Sequence, residues 1–150
     1  MFSQTTEYAL RAAVWLAQNT GTPQTTLQIA DSTKVPLGYL AKVLQALGKA
    51  GVVKSARGLH GGFELIKSAE NISILEIISV VEPIRRIRSC PLDLNSHKLK
   101  LCPLHKKMDQ AMAMIEETFR STTLADILNT PSSSKPLCHA MVVNPEGGKA

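Results

Sequence analysis

Apolar positions recur at helical spacing over most of the chain, and each run is bounded by a residue that starts or stops a helix. Tyr8, Ala9, Ala12, Ala13 and Leu16 share one face of a segment that Thr5 or Thr6 can cap. It continues to about Asn19, and Gly21 to Pro23 end it. Thr25 and Gln28 have the spacing of a capping box, which predicts a short helix from about Thr26 to Thr33. Pro36 suits a first helical position, and Leu37, Leu40, Leu44 and Leu47 then follow as one apolar face. The opposite face carries Tyr39, Lys42, Gln45 and Lys49, and Gly51 stands where a left-handed C-terminal cap would sit. Beyond it the period changes. Val52 and Val53 suit a strand, Phe63, Glu64 and Leu65 alternate as its return, and Ser55 to Gly62 form a glycine-rich tip with little to pack. Ser73 is placed to cap a helix through Ile74, Ile77, Ile78 and Val81 that stops before Pro83. A long helix begins at Cys102-Pro103 with Leu104, Met108, Ala111, Met112, Ile115 and Phe119 as its stripe. Thr122 or Thr123 caps a last short one containing Leu124, Ile127 and Leu128.

Two short helices with a three- to four-residue connection match the helix-turn-helix pattern, whose second helix enters the major groove of DNA. The hairpin then reads as a wing. Arg57 in its tip can enter a narrow minor groove, where the potential is strongly negative; standing alone, it would be a solvated turn residue. The expected fold class is therefore mainly α: a winged helix-turn-helix with a two-stranded wing and a long C-terminal dimerisation helix. The expected divisions are a DNA-binding domain over 1–82, a cysteine-containing sensor loop over 83–101, the dimerisation helix and short terminal helix over 102–130, and a flexible tail over 131–150. The long stripe needs a partner, either its own domain or a second copy. The two-fold symmetry of most oligomers, and of helix-turn-helix dimers on DNA, favours a homodimer.

Charge supports this reading by its distribution. The formal net charge is +5, and residues 1–67 hold seven Lys or Arg against three acids, whereas 68–150 hold ten against nine. The excess lies with the reading head, as a phosphate-binding surface requires. The expected DNA contacts are Thr26, Tyr39, Lys42, Gln45, Lys49, Lys54, Arg57 and His60 on a double-stranded operator. The N-terminus lacks a basic segment followed by an apolar run, and no apolar stretch is long enough to span a bilayer, so no membrane association and a cytoplasmic location are expected. An enzyme is disfavoured: Cys102 and His105 lack a glycine-rich oxyanion loop or an orienting acid, and Gly58 to Gly62 lack the lysine and helix of a phosphate-binding loop. The competing class is a winged-helix protein-interaction module without a cofactor.

From Pro83 to Leu101 no periodicity is visible. Cys90 and Cys102 bracket this segment, with His97 between them and His105 three residues after the second cysteine. Thiolates and imidazoles are the ligands that zinc and iron-sulfur centres select, and Cys102 gains a further reason to ionise from its place at a helix start. Two ordinary reduced cysteines are the alternative. Cys138, beside His139, is expected to have no ligand role.

The order of Glu7-Tyr8-Ala9-Leu10-Arg11, the helix through Gly38-Tyr39-Leu40, the Ser55-Ala56-Arg57-Gly58 wing and the cysteine segment before a long helix resembles the IscR/NsrR family of bacterial transcription regulators over roughly residues 1–130. The resemblance implies a winged helix-turn-helix homodimer with Tyr39 and Lys42 in the major groove and Arg57 in the minor groove; the expected role is a repressor on an imperfectly palindromic operator. It also implies sensing of iron-sulfur status, nitric oxide or redox state through a [2Fe-2S] or [4Fe-4S] cluster. The family's usual ligands are three cysteines plus a histidine or an N-terminal acid from the partner subunit. Cys90, Cys102 and His105 match the first cysteine, third cysteine and histidine, and Glu7 matches the acid. The middle cysteine is replaced by Ser96, next to His97. A [2Fe-2S] cluster on Cys90, Cys102, Glu7 and His105, or His97 in its place, is the expected cofactor; zinc or none are the alternatives.

Overall fold

A computed structural model describes residues 2–92 and 100–137. His97, Ser96 and Cys138 lie outside the described residues. Among the described residues, six α-helices and one hairpin follow in the order α1 (Gln4–Gln18), α2 (Thr26–Thr33), α3 (Leu37–Lys49), β1 (Val53–Ala56), β2 (Gly62–Leu65), α4 (Ile74–Val81), α5 (Pro103–Arg120) and α6 (Leu124–Asn129). A single 3-10 turn, Ala69–Asn71, precedes α4.

The core is aliphatic. Leu16 of α1, Ile29 of α2, Leu40, Leu44 and Leu47 of α3, Ile77 and Ile78 of α4, Ile72 and Leu124 close on one another with almost no exposed surface. α1 is the support, packing against α2, α3, α4 and α6. Its alanines at positions 9, 12 and 13 are fully buried, so neighbouring helices lie close to its axis.

Local signals set the head's element ends. Thr25 and Gln28 form the capping box in full: the Gln28 N–H donates to Thr25 Oγ1 at 3.2 Å and the Thr25 N–H donates to Gln28 Oε1 at 2.8 Å. α3 closes in a Schellman motif. The Val52 N–H donates to the Leu47 carbonyl at 2.9 Å and the Gly51 N–H to the Gly48 carbonyl at 3.1 Å, with Gly51 at φ +75°.

Several boundaries differ from the sequence expectation. The cap of α1 is Ser3, whose Oγ accepts from the Thr6 N–H; Thr6 is buried because it faces Glu82 at the end of α4. Pro36 is the N-cap of α3 and not its first residue. Leu37 leaves the apolar face and is 47% exposed, while Val43 completes that face. Val52 belongs to the helix cap, and Ser55 and Ala56 belong to β1 and not to the wing tip. At 131–137, where a flexible tail was expected to begin, Pro136 accepts a hydrogen bond from Gln18 at 3.0 Å and Leu137 packs against the core.

The hairpin is antiparallel with Val53 opposite Leu65 and Ala56 opposite Gly62. Gln24 forms a further bridge to Phe63, through hydrogen bonds of 2.9 and 2.7 Å. α5 packs across α4, and a bridge between Ser73 and Thr123 returns the chain to the head at its far end.

Candidate nucleic-acid interface and cysteine segment

The turn between α2 and α3 is three residues long, Lys34 to Pro36, with Lys34 in the left-handed region at φ 56°. Arg11 of α1 donates to the Thr33 carbonyl at 3.3 Å, satisfying an orphan group at the end of α2. Its Nε also donates to Glu7 at 3.0 Å. On α3, Tyr39, Lys42, Gln45 and Lys49 are all exposed, while Thr26 at the start of α2 is half-buried. Tyr39 meets the buried Tyr8 edge to face, with centroids 6.0 Å apart, which fixes the ring while leaving the side chain 56% exposed.

The wing carries Lys54 directly opposite Glu64, and the pair is 3.0 Å apart. With Lys54 59% exposed, such a pair contributes little in water, so the ammonium can exchange Glu64 for a phosphate. Arg57 and His60 are exposed at the tip. No ion pair involves Lys42, Lys49 or Arg57 among the described residues. The tip is a tight turn in which the Gly61 N–H donates to the Gly58 carbonyl at 3.0 Å, with Gly58 at φ +111°. Gly62 lies so close to Gln24 that a Cβ would stand 2.6 Å from that residue's backbone. Gln24 is itself buried and accepts from Trp15 Nε1 at 3.2 Å. The wing is thereby fixed to the helical head.

Residues 83–92, 100 and 101 contain no helix or strand. Cys102 is the N-cap of α5, and its Sγ lies 3.3 Å from His105 Nδ1. Cys90 is half-buried. The segment is tied to α5 by Arg86, whose Nε and Nη2 donate to the two oxygens of Asp109 at 2.7 Å each, and whose Nη1 donates to Glu116 at 3.1 Å. The Ile87 N–H adds a bond to Asp109 at 2.8 Å. Hydrogen bonds from Arg86 hold the Asp109 carboxyl at about 2, below its ordinary value, and the same bonds push the guanidinium upward.

The Rrf2 family, described as "Iron-dependent Transcriptional regulator", matches residues 2–130. The chain belongs to this family. Rrf2 membership makes it a transcriptional regulator with a DNA-binding helix-turn-helix, and not an enzyme. It is 34% identical over 132 residues to an HTH-type transcriptional regulator of Aquifex aeolicus, covering 86% of this chain and 92% of that protein. It is 31% identical over 126 residues to the HTH-type transcriptional regulator NsrR of Bacillus licheniformis, covering 82% and 88%. Among solved structures, T. potens IscR superposes with a TM-score of 0.72 at 31% identity, covering 85% of each chain. CymR, the global cysteine regulator of B. subtilis, gives 0.73 at 26% identity, covering 88% and 98%.

Among the described residues of one chain, Cys90, Cys102, His105 and Glu7 do not form a metal-binding group. Cys102 and His105 are side by side, but no group of three or more His, Cys, Asp or Glu side chains capable of holding a metal ion exists among the described residues. Glu7 is on α1 and paired with Arg11. Two donors are too few for zinc or for a [2Fe-2S] cluster, each of which takes four protein ligands at a closed site; the described part of a single chain does not fit either group. Among the described residues no helix is long and apolar enough to cross a membrane. Sequence reasoning missed the Arg86–Asp109–Glu116 brace and the Gln24 anchor, because both join residues far apart in the chain that carry no periodic signal.

Proposed function

We propose that this Rrf2 chain is a homodimeric repressor that binds an imperfectly palindromic duplex, with α3 in the major groove and Arg57 in the minor groove of each half-site. The observation that carries the dimer is α5. It is 18 residues long, has no buried side chain, and leaves Leu104, Met108 and Ile115 at 65%, 44% and 37% exposure along one edge. A helix with this pattern is stable when a second apolar surface covers it, and a two-fold copy supplies one that is self-complementary. The basic head supports the DNA contacts, with Lys42 and Lys49 on α3, Lys54 on β1 and Arg57 at the wing tip.

The segment from 83 to 101 is the effector-responsive part of the proposal, for iron-sulfur, nitric oxide or redox signals. Its support is the Cys102–His105 pair at the start of α5, together with the family's iron-dependent description. A metal there requires ligands beyond those that one chain brings together. An effector changes DNA affinity only by binding two conformations unequally, and Arg86 couples the segment to α5.

The test is titration of a duplex from the protein's own upstream region over a range of salt, with sedimentation of the same preparation. Six lysine-phosphate contacts from a dimer give a log–log salt slope of about −5. A salt-insensitive or undetectable interaction would overturn the reading, as would a monomer that binds with full affinity. Iron, sulfide and zinc analysis after anaerobic purification decides the cofactor.

A further inference from the structure

Of the four leucines at helical spacing on α3, Leu40, Leu44 and Leu47 are at most 1% exposed, whereas Leu37 is 47% exposed. Val43, 2% exposed, stands on the inner face in its place, so the core closes without Leu37. Leu37 is the first residue of α3, and the N-terminal residues of a recognition helix are the ones that meet base edges in the major groove. Ala41, one turn further along the same edge, is also exposed. Gly38 has nothing within 4 Å of the point where a Cβ would stand, so the backbone there is open to close approach. Leu37, Gly38 and Ala41 carry no side-chain donor or acceptor. The edge formed by Leu37, Gly38 and Ala41 therefore offers no side-chain hydrogen bond with which to read a base; those come from Tyr39, Lys42, Gln45 and Lys49 elsewhere on the helix. An apolar side chain discriminates by apolar surface, and in the major groove thymine alone presents a 5-methyl group.

We propose that Leu37 is a specificity residue that packs against the 5-methyl group of one thymine in each half-site, so that a T·A pair is selected there by a methyl contact and not by a hydrogen bond. The inference rests on the DNA-binding reading and on α3 as the helix that enters the groove. Replacing thymine by deoxyuridine removes the methyl and leaves the hydrogen-bonding pattern unchanged, so it isolates the contact.

The experiment begins by enriching duplexes from a random pool with the full-length protein, then replaces each thymine of the best duplex by deoxyuridine. The expected result is one thymine per half-site at which the replacement weakens binding about fourfold, the weight of one buried methyl group. Leu37→Ala then binds the thymine duplex more weakly by at least that factor and no longer distinguishes the two bases at that position. Leu37→Met, which conserves volume, keeps the distinction. Because Leu37 is half-exposed, both variants keep the melting temperature of the parent, and this is measured alongside. The inference is overturned if no thymine methyl matters, or if Leu37→Ala retains the same methyl dependence. Failure of the pool to enrich any duplex overturns the DNA-binding reading itself, and the inference with it.

Discussion

Gly62 is the residue at which the wing meets the head, and it tolerates no side chain. A Cβ there would stand within 2.6 to 2.8 Å of three backbone atoms of Gln24, which cannot move away as a flexible side chain would. Gly62→Ala is expected to destabilise the protein by about 1–3 kcal/mol, the usual cost of overpacking, and to loosen the Gln24–Phe63 bridge. Denaturant unfolding measures the first, and hydrogen exchange at the Phe63 amide the second. At this scale the sequence was legible wherever the cause was local. Thr25 with Gln28, and Gly51 after α3, act on their own neighbours, so spacing alone located them. Thr6 and Leu37 were misassigned because their surroundings come from elsewhere. Thr6 is buried by Glu82, 76 residues away, and Leu37 is exposed because it lies outside the face of α3 that buries Leu40, Val43, Leu44 and Leu47.

Between elements, two carboxylates do the joining. Glu82, at the end of α4, accepts from the Ser3 N–H at 2.8 Å and from the Thr6 hydroxyl, so it ties α4 to the start of α1. These hydrogen bonds hold its carboxyl at about 2, below its ordinary value of 4.5. A carboxyl lowered in the folded state contributes stability that is complete above its unfolded value and is lost as pH falls toward its folded value. Glu82→Gln is therefore expected to be less stable than the parent at pH 7, with the difference shrinking between about 4.5 and about 2 and absent below that window. Denaturant unfolding across that range checks it; a difference independent of pH would assign the effect to packing. Asp109 plays the corresponding part between the cysteine segment and α5. Neither link could be read from the sequence, because a charged residue carries no periodicity that identifies a partner. The elements themselves were legible, since α2, α3, α4 and α6 begin or end at strong caps and bury regular apolar faces.

For the whole molecule, the proposed dimer rests on the exposed apolar edge of α5. Placing a charge on that edge, in Ile115→Glu, puts two like charges into the proposed interface and removes about 0.5–1 kcal/mol of apolar burial there from each copy, since Ile115 is 37% exposed. The expected outcome is a folded monomer by sedimentation, with helical content retained and affinity for a two-half-site duplex reduced by orders of magnitude. A dimeric variant with undiminished binding would place the interface elsewhere. α5 is also held at two points along its length. Arg86 braces it through Asp109 and Glu116, and at its end the Ile74 N–H donates to the Thr122 carbonyl while the Leu124 N–H donates to that of Ile72, at 2.9 and 3.0 Å. While these ties hold, they resist a swivel of the head on its helix. In a two-fold pair the gap between the two reading surfaces then behaves like the jaws of a fixed caliper. A single base pair inserted at the centre of the operator would turn one half-site by about 35° around the duplex axis, out of phase with jaws that have no joint to follow it.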